Sequence, residues 1–72
     1  MSELPQTRPK KLIAALKQMG FYEVRQKGSH LQLKRGNLLV TVPIHSGELE
    51  PAVLRSILRQ AHLKVEELKE YL

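Results

Sequence analysis

Leu12, Ile13, Leu16 and Met19 recur at helical spacing, with Lys10, Lys11 and Lys17 off that stripe. The pattern predicts a first helix. Thr7 is the expected N-cap, Pro9 fits the first turn and Gly20 ends the helix. After Gly20 the period drops to two. Tyr22 and Val24 alternate with Glu23 and Arg25, Leu31 and Leu33 with His30, Gln32 and Lys34, and Leu38, Val40 and Val42 with Leu39 and Thr41. Three short strands follow, joined by turns expected at Lys27-Gly28 and Gly36-Asn37. Ile44 to Glu50 reads as a loop. Pro51 then opens a second helix with the stripe Leu54, Ile57, Leu58 and Ala61, and Val65 to Leu72 form a short last helix with Val65, Leu68 and Leu72 inward.

The two turns constrain each other. Two-residue loops at both sites put Leu33 opposite Val40, Leu31 opposite Val42, Val24 opposite Leu31 and Tyr22 opposite Leu33. All these apolar residues then share one face, for the helices to cover. The other face carries Arg25 directly across from His30, Glu23 across from Gln32, Lys34 across from Leu39, and Thr41. The expected fold is therefore α+β, in the order α-β-β-β-α. It has a three-stranded antiparallel sheet, helices on one face and a short C-terminal helix.

With 72 residues and no cysteine, residues 1–72 are read as one domain with a thin core and no disulfide or thiolate metal site, residues 1–6 being a loose leader. Chemistry is then expected on an exposed face. Twelve Lys and Arg against seven Glu give a net charge of +5, a balance that favours a polyanionic partner. The N-terminal stretch lacks the apolar run of a signal peptide, and nothing is long enough to span a bilayer. The expectation is a cytoplasmic protein without a membrane partner.

Three histidines are the candidates for acid–base work near neutral pH. His62, at the end of the second helix, reads as an ordinary surface residue whose cationic form would complement the helix dipole. His45, in the loop after Val42-Pro43, is a candidate accessory at the edge of the open face. His30 has the setting that chemistry requires: a polar face, Gly28 beside it for close backbone approach, and Arg25, Lys27 and Lys34 around it. RNA cleavage suits that setting, because RNA carries its own nucleophile in the 2′-hydroxyl. What it needs is a group to move a proton and positive charge to stabilise the phosphorane-like transition state. The sequence offers no carboxylate cluster for a metal, so neither metal nor cofactor is expected.

Met19-Gly20-Phe21, Arg25-Gln26-Lys27-Gly28-Ser29-His30, Val40-Thr41-Val42-Pro43-Ile44-His45 and Leu54-Arg55-Ser56-Ile57-Leu58-Arg59-Gln60-Ala61 together resemble HicA toxins, also called YcfA-like proteins. The resemblance runs from the first helix onward, in order and spacing. It implies a fold like a double-stranded-RNA-binding domain, mRNA interferase activity and a cognate HicB-type antitoxin. It also implies that His30, in the Gly-Ser-His motif, is the catalytic residue. From the cationic setting around that histidine, Arg25, Lys27, Gly28, Ser29 and Lys34 are expected to bind RNA. Two departures are visible: His62 where relatives often have Gly, and Lys64 where a Ser or Thr cap is common. Two other classes stay open. One is a non-catalytic RNA-binding module, which could grip phosphates through Arg55 and Arg59, one helical turn apart. The other is a protein-interaction domain, supported by the outward Leu39.

Overall fold

A computed structural model of the chain describes residues 3–72. Its elements are α1 (Pro9–Gln18), β1 (Tyr22–Lys27), β2 (His30–Arg35), β3 (Leu38–Pro43), α2 (Pro51–Ala61) and α3 (Val65–Lys69). The strands form one antiparallel sheet in the order β1-β2-β3. Leu31, Leu33, Val40 and Val42 on the sheet, Leu12, Ala15 and Leu16 on α1, Leu54, Ile57, Leu58 and Ala61 on α2, and Leu68 on α3 make one buried cluster. The expected α-β-β-β-α order and both helical stripes are present. Among the described residues, no helix is long and apolar enough to cross a membrane.

Both long helices end in the same hydrogen-bonding pattern. After α1, Gly20 donates to the Lys17 carbonyl (3.1 Å) and Phe21 to the Leu16 carbonyl (3.0 Å), with Gly20 at φ +101°. After α2, His62 donates to Arg59 (3.2 Å) and Leu63 to Leu58 (2.9 Å), with His62 at φ +55°. Each is a Schellman closure followed by an apolar residue, Phe21 buried in the core and Leu63 partly buried against it. His62 thus occupies a left-handed position that glycine fills without steric cost.

The N-terminal expectation needs correction. Arg8, not Thr7, is the N-cap of α1, and no side chain caps it. Thr7 is buried, its hydroxyl reaches the Arg8 carbonyl (3.3 Å), and its own carbonyl accepts the Leu49 N–H (2.8 Å). That bond ties the loop before α2 to the start of α1, with Leu49 in the core. Of the expected leader, Leu4 packs against the core, while Met1 and Ser2 lie outside the described residues. At the other end the last helix stops at Lys69, although Val65 and Leu72 still pack on the core beside Leu68. Lys64 has no acceptor to offer as a cap. Glu67 compensates by accepting the Lys64 N–H at 2.9 Å.

The β2–β3 register is the expected one, with Leu31 opposite Val42, Leu33 opposite Val40 and Lys34 opposite Leu39. The β1–β2 register is not. The loop is Gly28-Ser29, so Lys27 pairs with His30, Gln26 with Leu31 and Arg25 with Gln32. A bulge between Glu23 and Arg25 then shifts the ladder, so that Glu23 pairs with Leu33 and Tyr22 with Lys34. The turn chemistry explains the first correction. Gly28 and Gly36 both have φ +59°, each as the first central residue of a two-residue loop. A Lys27-Gly28 loop would have placed lysine at that position.

The bulge reverses the two faces of β1. Tyr22 and Val24, expected in the core, are 54% and 46% exposed. Glu23, expected on the open face, shares the helix side with Leu33 and pairs with Lys17 of α1. In their place the core takes Phe21, from the connection before β1. The Arg35 guanidinium lies 4.8 Å from the Phe21 ring centroid and donates to the Met19 carbonyl at 2.9 Å, fastening the end of α1 to β2.

Candidate RNA-cleaving face

The face of the sheet away from the helices is assembled by register alone. From β1 it takes Tyr22, Arg25 and Lys27, from β2 His30, Gln32 and Lys34, and from β3 Leu39, Thr41 and Pro43. Because the bulge turns Glu23 to the other side, these pairings put three cations and no carboxylate on this face.

His30 is the first residue of β2, exposed, immediately after the Gly28-Ser29 turn. The turn can be this tight because Gly28 supplies the positive φ, and a side chain there would meet nothing within 4 Å, so strain alone requires glycine. Gln26 Nε2 donates to the Gly28 carbonyl at 3.3 Å, and the Ser29 carbonyl accepts the Ile44 N–H at 2.6 Å. The second bond extends the β2–β3 ladder past His30, so the histidine is backed by paired strand on both sides. A shallow depression of about 460 Å³ is lined by Arg25, Lys27, His30 and Gln32.

The expected residues separate into two groups. Arg25, Lys27 and His30 come together in the depression, and Gly28 and Ser29 form the turn between Lys27 and His30. Lys27, not Arg25, is directly across from His30, and Arg25 stands one pair further along, opposite Gln32. Lys34 is on the same face, four residues along β2, with Tyr22 on one side and Leu39 on the other.

His45 is elsewhere. With Lys10, Ile13, Gln26, Leu31 and Ile44 among others, it lines a groove of about 610 Å³ between α1 and the sheet, and its Nδ1 lies 3.1 Å from the Ser46 carbonyl. Glu23 lines the same groove, which is the helix side of β1. Sequence reasoning overlooked Gln32 as a lining residue and Tyr22 as an outward one. For Gln32 beside Arg25 the signal was the likeness of Gly28-Ser29 to Gly36-Asn37, each with glycine first; the outward Tyr22 follows from the bulge, which that likeness does not mark.

Fold and face together define a small α+β protein that presents one exposed histidine among cations on an uncovered antiparallel sheet. Residues 9–63, more than half of the chain, match the family described as HicA toxin of bacterial toxin-antitoxin. The chain belongs to the HicA toxin family. No curated protein shows a significant match to it.

Proposed function

We propose that this toxin is a metal-independent endoribonuclease, an mRNA interferase, and that His30 is its general acid or base. The observation that carries the reading is the depression in which His30 lies with Arg25 and Lys27 on a face free of carboxylates. RNA lying there would place a phosphate against the two cations and its ribose 2′-hydroxyl near the imidazole. The 2′-oxygen attacks phosphorus, the bond to the 5′-oxygen breaks, and a 2′,3′-cyclic phosphate and a 5′-hydroxyl result. His30 either takes the 2′-hydroxyl proton or supplies one to the departing 5′-oxygen, and water exchanges the other proton. Arg25 and Lys27 stabilise the charge that builds on the phosphoryl oxygens. Lys34 holds the strand further along, and Gly28 and Ser29 let its backbone approach closely. His45, on the helix side, has no proton to move in this scheme.

Replacing His30 with alanine tests the assignment. Thermal unfolding should move by no more than about ±0.5 kcal/mol, the usual range for an exposed side chain. RNA affinity should largely persist, while cleavage in chelator-treated buffer should fall about 10²–10⁴-fold. Cleavage close to the wild-type rate in the variant would remove His30 from the chemistry. Loss of all wild-type activity on chelation would remove the metal-independent scheme.

The partner implied by the family is an antitoxin, which we take to be of HicB type, acting with the toxin in the cytoplasm where mRNA is available. Leu39, apolar and 46% exposed beside Lys34, suits burial beneath that partner, which would then cover His30. Leu39→Asp should weaken the toxin–antitoxin complex at least tenfold and leave the free toxin folded. Unchanged affinity in a titration would move the interface off the open face.

A further inference from the structure

Tyr22 is the one aromatic side chain that the strand register places on the open face, and it is more than half exposed. It takes no part in the core, where the buried aromatic side chain is Phe21. Tyr22 pairs with Lys34, which in turn pairs with Leu39, so a flat ring, a cation and an aliphatic side chain form one row across the sheet. That row is four residues along β2 from His30, or about 13 Å at the rise of a strand.

We infer that Tyr22 is a stacking platform for a base of single-stranded RNA near the scissile phosphate, and that single strands are the substrate class of this face. The inference rests on the ribonuclease reading above. A ring lying on an open sheet can take the face of any base, while the neighbouring Lys34 neutralises the adjoining phosphate. In a duplex the bases are already paired and stacked, so their faces are closed to the ring. The row and the depression lie on one carboxylate-free surface, and a short extended strand can occupy both at once. Charge complementarity with a polyanion is therefore continuous from Tyr22 to His30.

The test uses free toxin carrying His30→Ala, so that RNA stays intact. The chain has two tyrosines and no tryptophan, so adding Tyr71→Phe leaves Tyr22 as the only emitter of consequence. Titration with a short single-stranded oligonucleotide should quench that emission, whereas a duplex of the same sequence should not. In the same His30→Ala protein, Tyr22→Ala should weaken single-strand binding about fivefold to a hundredfold, the effect expected for one stacked base. Tyr22→Phe should retain affinity within about twofold, since its ring stacks without the hydroxyl. Duplex binding should change little in either variant.

Equal losses for single strand and duplex, or no loss in a folded Tyr22→Ala protein, would overturn the inference. A variant that binds RNA normally but loses its antitoxin would also overturn it, assigning Tyr22 to the protein interface. The two readings fail separately. If wild-type toxin cuts RNA through His30 while Tyr22→Ala binds single strands normally, stacking falls and the nuclease stands. If single strands quench Tyr22 and need it for affinity but are never cut, the nuclease reading falls and the platform stands.

Discussion

At the scale of single residues, the same αL position ends both long helices and is filled by different chemistry. Gly20 adopts φ +101° freely, whereas His62 at φ +55° carries a side chain in a region that costs an L-residue roughly 1–2 kcal/mol. Part of that cost is offset when glycine's larger unfolded-state entropy is counted. His62→Gly should therefore stabilise the protein by about 0.5–1 kcal/mol, raising Tm by about 2–8 °C for a domain of this size. His62→Val should do the opposite, because a β-branched residue tolerates this conformation least. Thermal unfolding of the pair decides it, and a lower Tm for the glycine variant would show that the histidine side chain contributes more than its backbone strain costs. His30 is a contrasting residue. Its exposure and polar surroundings were legible from alternation alone, because Leu31 and Leu33 had to face inward.

At the scale of elements, β1 decides what the open face presents. The sheet edges are treated differently. The backbone N–H of Thr41 on β3 donates to Gln60 Oε1 of α2 at 2.9 Å, and Gln60 in turn reaches Ser56 at 3.2 Å, so that edge is partly closed by a helix. Every residue of β1 is exposed, and its bulge interrupts the regular ladder. The extra residue is the one between Glu23 and Arg25. Deletion of Val24 should thus restore an unbroken ladder that keeps Arg25 opposite Gln32, Glu23 opposite Leu33 and Tyr22 opposite Lys34. The shortened protein should fold, with Tm within about 4–8 °C of the parent, the equivalent of ~1 kcal/mol. Proton contacts between Tyr22 and Lys34 in a nuclear Overhauser spectrum should persist. Their replacement by contacts between Tyr22 and Leu33 would show that the bulge does not set the facing of β1.

Across the whole molecule, charge is divided by the sheet. The Lys17–Glu23 ion pair is on the helix side, and Arg25, Lys27 and Lys34 are left on the open side facing solvent. If those three neutralise phosphates of a single strand, log K against log salt should have a slope of about −2, from roughly −0.7 per contact. Replacing any one of them with alanine should flatten the slope by about 0.7. Equilibrium binding of an uncut oligonucleotide across a salt series measures both, and a slope unaffected by all three substitutions would move the phosphate contacts off the sheet, with Arg55 and Arg59 on α2 the next to examine.

The order of elements, the apolar stripes of α1 and α2 and the β2–β3 hairpin were all determined by the chain's own periodicity and turn residues. Each depends on local geometry: 3.6 residues per helical turn, two per strand repeat, and glycine where φ must be positive. The same local rules put His30 on the outer face, since its strand neighbour Leu31 is apolar and buried. The facing of Tyr22 and Glu23 was decided only in three dimensions. A bulge has no periodic signature, because one unpaired residue changes the parity of everything before it without altering composition. Alternation in β1 favoured Tyr22 and Val24 as core residues. The tertiary structure overruled it: Phe21 is buried in the core, and Glu23 pairs with Lys17 on the helix side. From that tertiary choice follow the carboxylate-free face and the exposed ring of Tyr22.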